Sequence, residues 1–524
     1  MKITTAKLIL FTAIFLVVFD NYSFFNNLVV VYPVNTENLP FLISLVIVLI
    51  SLIVFLFTIV SSKYTTKPIL ILFVIVSAFT NYFMNTYSII IDDTMIQNML
   101  NTDLNESLDL FSLKLVAYAL LLGVLPAYLI YKADIQYGSF KDEIISKVKV
   151  IVISLGLIAI IIFSLSQFYT SFFREHKPLR LYTNPIFYIY SSFKYVNGFI
   201  NSGPIEVKEI ALDAKVDKKS NTKRVVVLVV GEAVRADRFS LNGYGRETNK
   251  LVSKEDIINF PNVSSCGTTT AVSVPCMFSV YDRNQYSYKK GESTQNVMDI
   301  LNRTGINTLW RDNNSNWEDV ARGSTYENFK SSQNNKPCDG ECRDMGMLDG
   351  LQEYVDKQDG DIFIVLHQMG NHGPAYYKRY PKEFEKFTPV CKTNQLEKCT
   401  PESIGNAYDN TLLYTDYFLS KVIEFLKENK DLETAMIYMS DHGESLGENG
   451  LYLHGLPYFM APETQKHVAS FGWFSPEFKK NLDIEKVKKN ANEQYSQDNL
   501  FHTILGIMDV KTKIYKKDMD IFKD

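Results

Sequence analysis

The stretch Phe41–Val60, FLISLVIVLISLIVFLFTIV, runs for twenty residues without a charge. A helix needs about 20 such residues to cross the hydrocarbon core of a bilayer. Four further stretches are long and predominantly apolar: Lys7–Val30, Pro68–Ile91, Phe111–Tyr131 and Val148–Tyr169. The first is interrupted by Asp20 and Asn21 and is followed by no clean small-residue cleavage site. It reads as a retained helix and not as a signal peptide. The chain of 524 residues therefore falls into three parts. Residues 1–170 form a membrane domain of five helices, residues 171–222 a connector, and residues 223–524 a charged soluble domain.

Lysines in the loops set the orientation. Lys2 and Lys7 precede the first span, Lys63 and Lys67 lie between the second and third, and Lys132, Lys141, Lys147 and Lys149 lie between the fourth and fifth. The alternate loops, Val31–Pro40 and Asp92–Leu110, contain no lysine or arginine. The basic clusters are cytoplasmic, and five crossings deliver the soluble domain to the opposite side, the periplasm of a bacterium. Lys114, at the outer edge of the fourth span, can snorkel to the interface. In the connector, Phe172–Ile200 mixes basic and aromatic residues in the manner of a segment lying among lipid headgroups. The six cysteines, at 266, 276, 338, 342, 391 and 399, all follow the last span. Fifteen pairings are formally possible. Short spacings in an oxidising compartment point to pairing between nearest neighbours. A net charge of −4 offers no basic surplus for nucleic acid, and 13% aromatic residues exclude a disordered chain.

Val225–Val230, Ile362–Leu366 and Ala435–Met439 are short apolar runs, as expected of buried parallel strands. Helical stretches such as Asn410–Asn429 alternate with them. The soluble part is thus an α/β domain with a mainly parallel sheet, and such sheets bind ligands beyond the carboxyl ends of their strands. Those ends carry Glu232, His372 and Asp441 with His442, and His454 follows twelve residues later. Carboxylate oxygen and imidazole nitrogen are the donors zinc takes. A single histidine in such a loop is more often structural, but several acid and histidine residues at corresponding strand ends favour a metal site. The segment SSCGTTTAVSVPCMFS, bracketed by Cys266 and Cys276, offers hydroxyls at a helix start, where a metal could activate one as a nucleophile. Composition does not choose among Thr268, Thr269 and Thr270.

The stretches VVGEAVRADRFSLNGYGRET, SCGTTTAVSVPCMFS, LWRDNNS, LHQMGNHGPAYYKRY and SDHGESLGENGLYLHG resemble the motif set of bacterial lipid A phosphoethanolamine transferases. That family belongs to the alkaline phosphatase/sulfatase superfamily and includes the mobile colistin-resistance enzymes. The resemblance covers nearly the whole chain. It implies a five-helix transmembrane domain followed by an alkaline phosphatase-like periplasmic α/β domain, in a multi-pass protein of the bacterial inner membrane. It also implies a tightly bound zinc ion on Glu232, Thr270, Asp441 and His442, with Thr270 as nucleophile and room for a second zinc. His372, His454 and Asn314 match residues around the substrate or a second metal. Asn98, Thr102 and Glu106 match residues that contact the donor headgroup, and their spacing places them on one face if the stretch is helical. Two departures stand out: Glu318 replaces a lysine found in several relatives, and the Cys338–Cys342 loop is shorter than in the colistin-resistance enzymes.

The implied reaction moves phosphoethanolamine from phosphatidylethanolamine, through a threonine-linked intermediate, to lipid A or another envelope glycan. An added ammonium beside each modified phosphate would weaken binding of polymyxin-type cationic peptides. A phosphoglycerol transferase of the same superfamily is the nearest alternative. A sulfatase would need arginine where Met277 follows Ser273-Val274-Pro275-Cys276. A membrane-anchored scaffold with a dead site would lack a ligand, and all four are present.

Overall fold

The computed structural model describes residues 2–101, 104–200, 206–218, 220–314 and 319–522. The chain divides into two compact units, Met1–Ile96 with Phe111–Phe199, and Gln97–Leu110 with Ile200–Asp524. The first unit contains α1 (Thr5–Phe19), α2 (Tyr22–Val31), α3 (Leu39–Val60), α4 (Thr66–Tyr87), α5 (Leu113–Lys132) and α6 (Phe140–Ser164). Helices α3 to α6 are each long and apolar enough to cross a bilayer, and α1 with α2 makes a fifth span bent by 58°.

The bend falls at Asp20 and Asn21, and its chemistry explains how a broken helix persists there. The Asn21 side-chain amide donates to the carbonyls of Leu16 (3.0 Å) and Asn184 (2.6 Å), and its oxygen accepts the Asn184 N–H (2.9 Å). The Asn184 amide donates to the carbonyls of Asp20 and Ser77. The Asn81 amide donates to Phe19 O and to the Asp20 carboxylate, at 3.0 Å each. Backbone carbonyls released by the bend thus meet amides, as an apolar medium requires. Helix α6 starts at Phe140, ahead of the expected Val148, because the Ser139 hydroxyl accepts the Asp142 N–H and caps the additional turns. Residues 171–199 belong to this unit and are mostly helical, including Ile186–Ile200.

The second unit is built on a seven-stranded sheet. Its strands are β1 (Arg224–Gly231), β2 (Ile257–Asn259), β3 (Asn307–Asp312), β4 (Thr325–Asn328), β5 (Ile362–His367), β6 (Glu433–Ser440) and β7 (Ser470–Phe474), in the order β2-β7-β6-β1-β5-β3-β4. The run from β6 to β4 is wholly parallel. Strand β7 runs antiparallel to β6, and β2 antiparallel to β7. Every residue of β1, β5 and β6 is buried, as in a sheet covered on both faces. Val226, Leu228 and Val230 join a core with residues of the helices Val297–Arg303 and Leu500–Ile507. Their neighbours Val225, Val227 and Val229 face the other way. Two more helices matter for the site: α7 (Thr270–Met277) and α8 (Pro401–Glu428), the latter packed against β6.

The cysteines pair as Cys266–Cys276, Cys338–Cys342 and Cys391–Cys399, and none is free. The first bond ties the chain ahead of α7 to the last turn of that helix, and the second closes a loop beside the end of β3. Thiol labelling of the denatured, unreduced chain is expected to find no reactive cysteine, and six after reduction. Labelling before reduction would refute both the pairing and the oxidising location.

Candidate active site

Four parallel strands end at one edge of the sheet, and each hands a polar residue to the same place. Beyond β1 stands Glu232, beyond β6 Asp441 and His442, beyond β3 Asn314, and beyond β5 the loop that carries His372. The pairing of Gly231 with Ser440 makes Glu232 and Asp441 neighbours by register. Ala233 has φ +57°, a left-handed conformation uncommon for a residue with a side chain. This turn aims its N–H at Asp441 Oδ1 (3.0 Å), which also accepts the His442 N–H (2.7 Å). The Gln497 amide holds the Ser440 and Asp441 carbonyls at 2.8 and 2.6 Å.

Helix α7 brings the hydroxyl. The Thr268 side chain is committed to the Leu456 carbonyl (2.6 Å), and Thr269 occupies the N-cap position. Thr270, the first residue of α7, turns its Oγ1 onto the acids. It lies 3.1 Å from Glu232 Oε2, 3.0 Å from Asp441 Oδ2 and 3.3 Å from His442 Nε2. The structure thus selects Thr270 from the three threonines. Asn314 donates to Glu232 Oε2 (2.8 Å) and to the Gln368 carbonyl (2.7 Å), so it joins the ends of β1, β3 and β5. Gly370 has φ +47°, and a Cβ there would lie 3.1 Å from the Glu232 Cβ and backbone, so only glycine lets this loop close on the carboxylate.

The histidines form a row. The His442 and His454 ring centres are 4.2 Å apart, and those of His454 and His372 are 5.7 Å apart. Glu444, fully buried, accepts from His454 Nδ1 at 2.8 Å and from the Tyr376 hydroxyl at 2.6 Å. Sequence reasoning did not single out Glu444. Its signal was its place two residues after His442, in the same loop. Asn98 lies in the helix Asp93–Asn101. Thr102, the side chain of Glu106, and Glu318 lie outside the described residues.

Two carboxylates and an imidazole are completely buried here, and among the described residues no lysine or arginine pairs with them. Burial, and next the adjacent Asp441, push the Glu232 carboxyl well above its ordinary range. Burial pushes His442 down to about 4, so its imidazole is neutral at ordinary pH. Glu232 Oε1 has no hydrogen-bond partner among the described residues. Ligand atoms of Glu232, His442 and His454 all lie within 4.8 Å of one another. Like charges buried together, an orphaned carboxylate oxygen and a neutral imidazole fit a divalent cation, which would offset both acids. The donor set of oxygen and nitrogen suits zinc.

An α/β sheet of this topology, with a hydroxyl set among acids and imidazoles at its strand ends, defines the alkaline phosphatase/sulfatase class. The profile of the family described as Sulfatase matches residues 224–510, and that described as Phosphoethanolamine transferase EptA/EptB matches residues 49–199. The chain is 45% identical over 478 residues to the phosphatidylethanolamine transferase Mcr-2 of Escherichia coli, covering 88% of each chain. It is 38% identical to the phosphoethanolamine transferase EptA of Escherichia coli K12, covering 98% of this chain and 96% of that one. Its structure resembles the integral membrane lipooligosaccharide phosphoethanolamine transferase A of Neisseria meningitidis, with a TM-score of 0.96, 36% identity, and coverage of 100% and 99% of the two chains. The protein belongs to the phosphoethanolamine transferase family, whose members join a multi-pass inner-membrane anchor to a periplasmic catalytic domain.

The depressed His442 value predicts a pH effect. An unfolded imidazole takes its proton near 6.5, and the folded one not until about 4. Between those values the unfolded state binds more protons, so stability falls as the pH is lowered. Trp310 lies in β3 and Trp473 in β7 of the second unit. Their fluorescence should report that, between pH 6.5 and 4, the wild-type unfolding midpoint loses more than that of His442→Asn, because the raised Glu232 carboxyl contributes a slope of opposite sign in both proteins. An identical slope in the variant would refute the assignment.

Proposed function

We propose that the protein transfers phosphoethanolamine from phosphatidylethanolamine to lipid A or a related envelope acceptor through a covalent intermediate on Thr270. The observation that carries this reading is the placement of Thr270 Oγ1 within 3.0–3.3 Å of Asp441, Glu232 and His442. It stands beside membership of a family whose named relatives act on these lipids. Glu232, Thr270, Asp441 and His442 would hold zinc, with His454 or His372 near enough to serve a second ion. The bound metal would supply Lewis acidity that favours the threonine alkoxide and neutralises charge on phosphorus.

The chain's own groups account for the rest. The Thr270 hydroxyl points its proton at the carboxylate oxygens of Glu232 and Asp441, the nearest acceptors when the oxygen attacks phosphorus. The new Thr270 O–P bond forms as the P–O bond to diacylglycerol breaks. The departing diacylglycerol oxygen needs a proton. His454, held at Nδ1 by Glu444, offers Nε2 for that role, and His372 is the second candidate. The acceptor oxygen then attacks the phosphothreonine, gives up its proton and restores the Thr270 hydroxyl. Asn314 keeps Glu232 in place throughout. The membrane spans confine the enzyme to the surface where both lipids reside, which replaces a search in three dimensions by one in two.

Incubation of wild type with phosphatidylethanolamine alone should add one phosphoethanolamine at Thr270 by intact-protein mass spectrometry. Thr270→Ala should form no adduct and leave lipid A unmodified in cells, with an unchanged unfolding midpoint. Normal transfer by Thr270→Ala would end the threonine mechanism. Glu232→Ala, Asp441→Ala and His442→Ala should each lower zinc content, measured by elemental analysis, along with activity. Chelation should abolish adduct formation, and zinc should restore it. Full zinc content in all three variants would reject this ligand set.

A further inference from the structure

Outside the cluster around Thr270, Arg379 is a charged group of the second unit that ties the active-site loops to remote chain. It is buried, and each face of its guanidinium is used. Nε donates to the His372 carbonyl (2.8 Å), Nη1 to Glu341 Oε1 (2.6 Å) and Nη2 to Asp109 Oδ2 (2.6 Å). Three remote stretches of chain therefore meet on one side chain. They are the loop that carries His372, the loop closed by Cys338–Cys342, and the segment Gln97–Leu110.

Asp109 is the only described carboxylate that this segment places on Arg379. Its other oxygen accepts from Lys378, and its backbone carbonyl accepts from the Asn394 amide at 2.7 Å. The carboxylate is 8% exposed and its guanidinium partner 4%. Burial alone would push the Asp109 carboxyl up, but Arg379 and Lys378 outweigh it and hold it below the ordinary value. A pair this sheltered differs from surface ion pairs, which contribute little. Removing one partner leaves a buried charge uncompensated. Leu108 and Asp109 also line a cavity of about 550 Å3 with Glu341, Met369, Lys378 and Arg379, so the docked segment forms one wall of a chamber beside the His372 loop.

We infer that Asp109 is a positioning residue, acting through Arg379 and Lys378, that fastens the chain at Leu108–Leu110 to the His372 loop and so holds the helix that carries Asn98 in place for the donor. The inference rests on the proposed function and on the resemblance by which Asn98 matches a residue that contacts the donor headgroup. Arg379 makes the coupling specific. The guanidinium that receives Asp109 also grips the carbonyl of His372, so the segment and the histidine share one anchor. An undocked segment would leave Thr270 and the acids in place while removing part of the binding surface for the donor. That predicts weaker donor binding with intact chemistry, whereas general destabilisation would damage both.

The experiment uses the full chain in detergent with phosphatidylethanolamine in mixed micelles, and follows formation of the Thr270 adduct against donor concentration. In Asp109→Ala the apparent KM for the donor should rise about tenfold or more, with the maximal rate within about twofold of wild type and zinc content unchanged. Asp109→Glu, which keeps the charge, should return KM to within about threefold of wild type. An unchanged KM in Asp109→Ala overturns the inference. So does loss of maximal rate and zinc together with no rescue by Asp109→Glu, which would mark a purely structural role. If wild type forms no adduct with this donor, the proposed function fails first. Limited proteolysis then reads the latch without substrate: cleavage within residues 97–110 should be faster in Asp109→Ala but not in Asp109→Glu. Equal cleavage in all three proteins would overturn it.

Discussion

Two carboxylates that the fold will not let apart govern this protein. Parallel pairing of β1 with β6 sets Gly231 opposite Ser440, and the next residue on each strand is an acid. Glu232 and Asp441 are buried together beside the His442 imidazole, and among the described residues no lysine or arginine pairs with them. Such a pair is costly in a low-dielectric interior unless a cation or a dense set of donors offsets it. The surroundings supply the donors unevenly. Asp441 receives two backbone N–H groups, whereas Glu232 receives Asn314 and Thr270 on one oxygen and leaves the other open. That imbalance is what makes the cluster a candidate metal centre and not a structural ion pair.

The neighbouring elements work to preserve that imbalance. Ala233 accepts a left-handed backbone to aim its N–H at Asp441, and Gly370 gives up a side chain so that its loop can close on Glu232. Strain and close approach of this kind persist only where packing over-determines them. The buried strands and Gln497 provide that packing. The disulfide Cys266–Cys276 ties the chain ahead of α7 to the last turn of that helix and fixes the start from which Thr270 reaches the acids.

What was legible in the sequence follows from how local its cause is. The spans are visible because hydrocarbon tolerates no charge over a whole helix, and Phe41–Val60 has none. The strands that end at Glu232 and Asp441 are visible because buried parallel strands are runs of branched apolar residues. The choice of Thr270 over Thr268 and Thr269 was not available from composition, because it depends on Leu456 taking the Thr268 hydroxyl from across the fold. The role of Glu444 behind His454 is marked only by its place beside His442, and Arg379 joining Asp109 to His372 leaves no local pattern. Their partners lie seven to 270 residues away. The antiparallel β7 was likewise unreadable, since SFGWF differs little from a parallel strand in composition. The bend in the first span was half visible. Asp20 and Asn21 mark it, but Asn184, which makes it tolerable, stands 163 residues further on.

The two units face the same physical problem, a polar group with no water nearby, and solve it in opposite ways. In the first unit the Asn21, Asn81 and Asn184 side-chain amides donate to backbone carbonyls around the bend and to the Asp20 carboxylate, so the donors there are consumed internally. Neutral amides suit that task, because each offers donor and acceptor without the cost of moving a charge out of water. In the second unit the buried groups are acids and imidazoles, and internal pairing stops short of completion at Glu232. A self-satisfied network rigidifies, whereas an incomplete one holds free energy that a ligand can release. Asparagine amides thus carry most of the buried polarity at the bend, with the Asp20 carboxylate tied to Asn81, whereas at the sheet edge two carboxylates share one neutral imidazole and leave a site that a cation can complete.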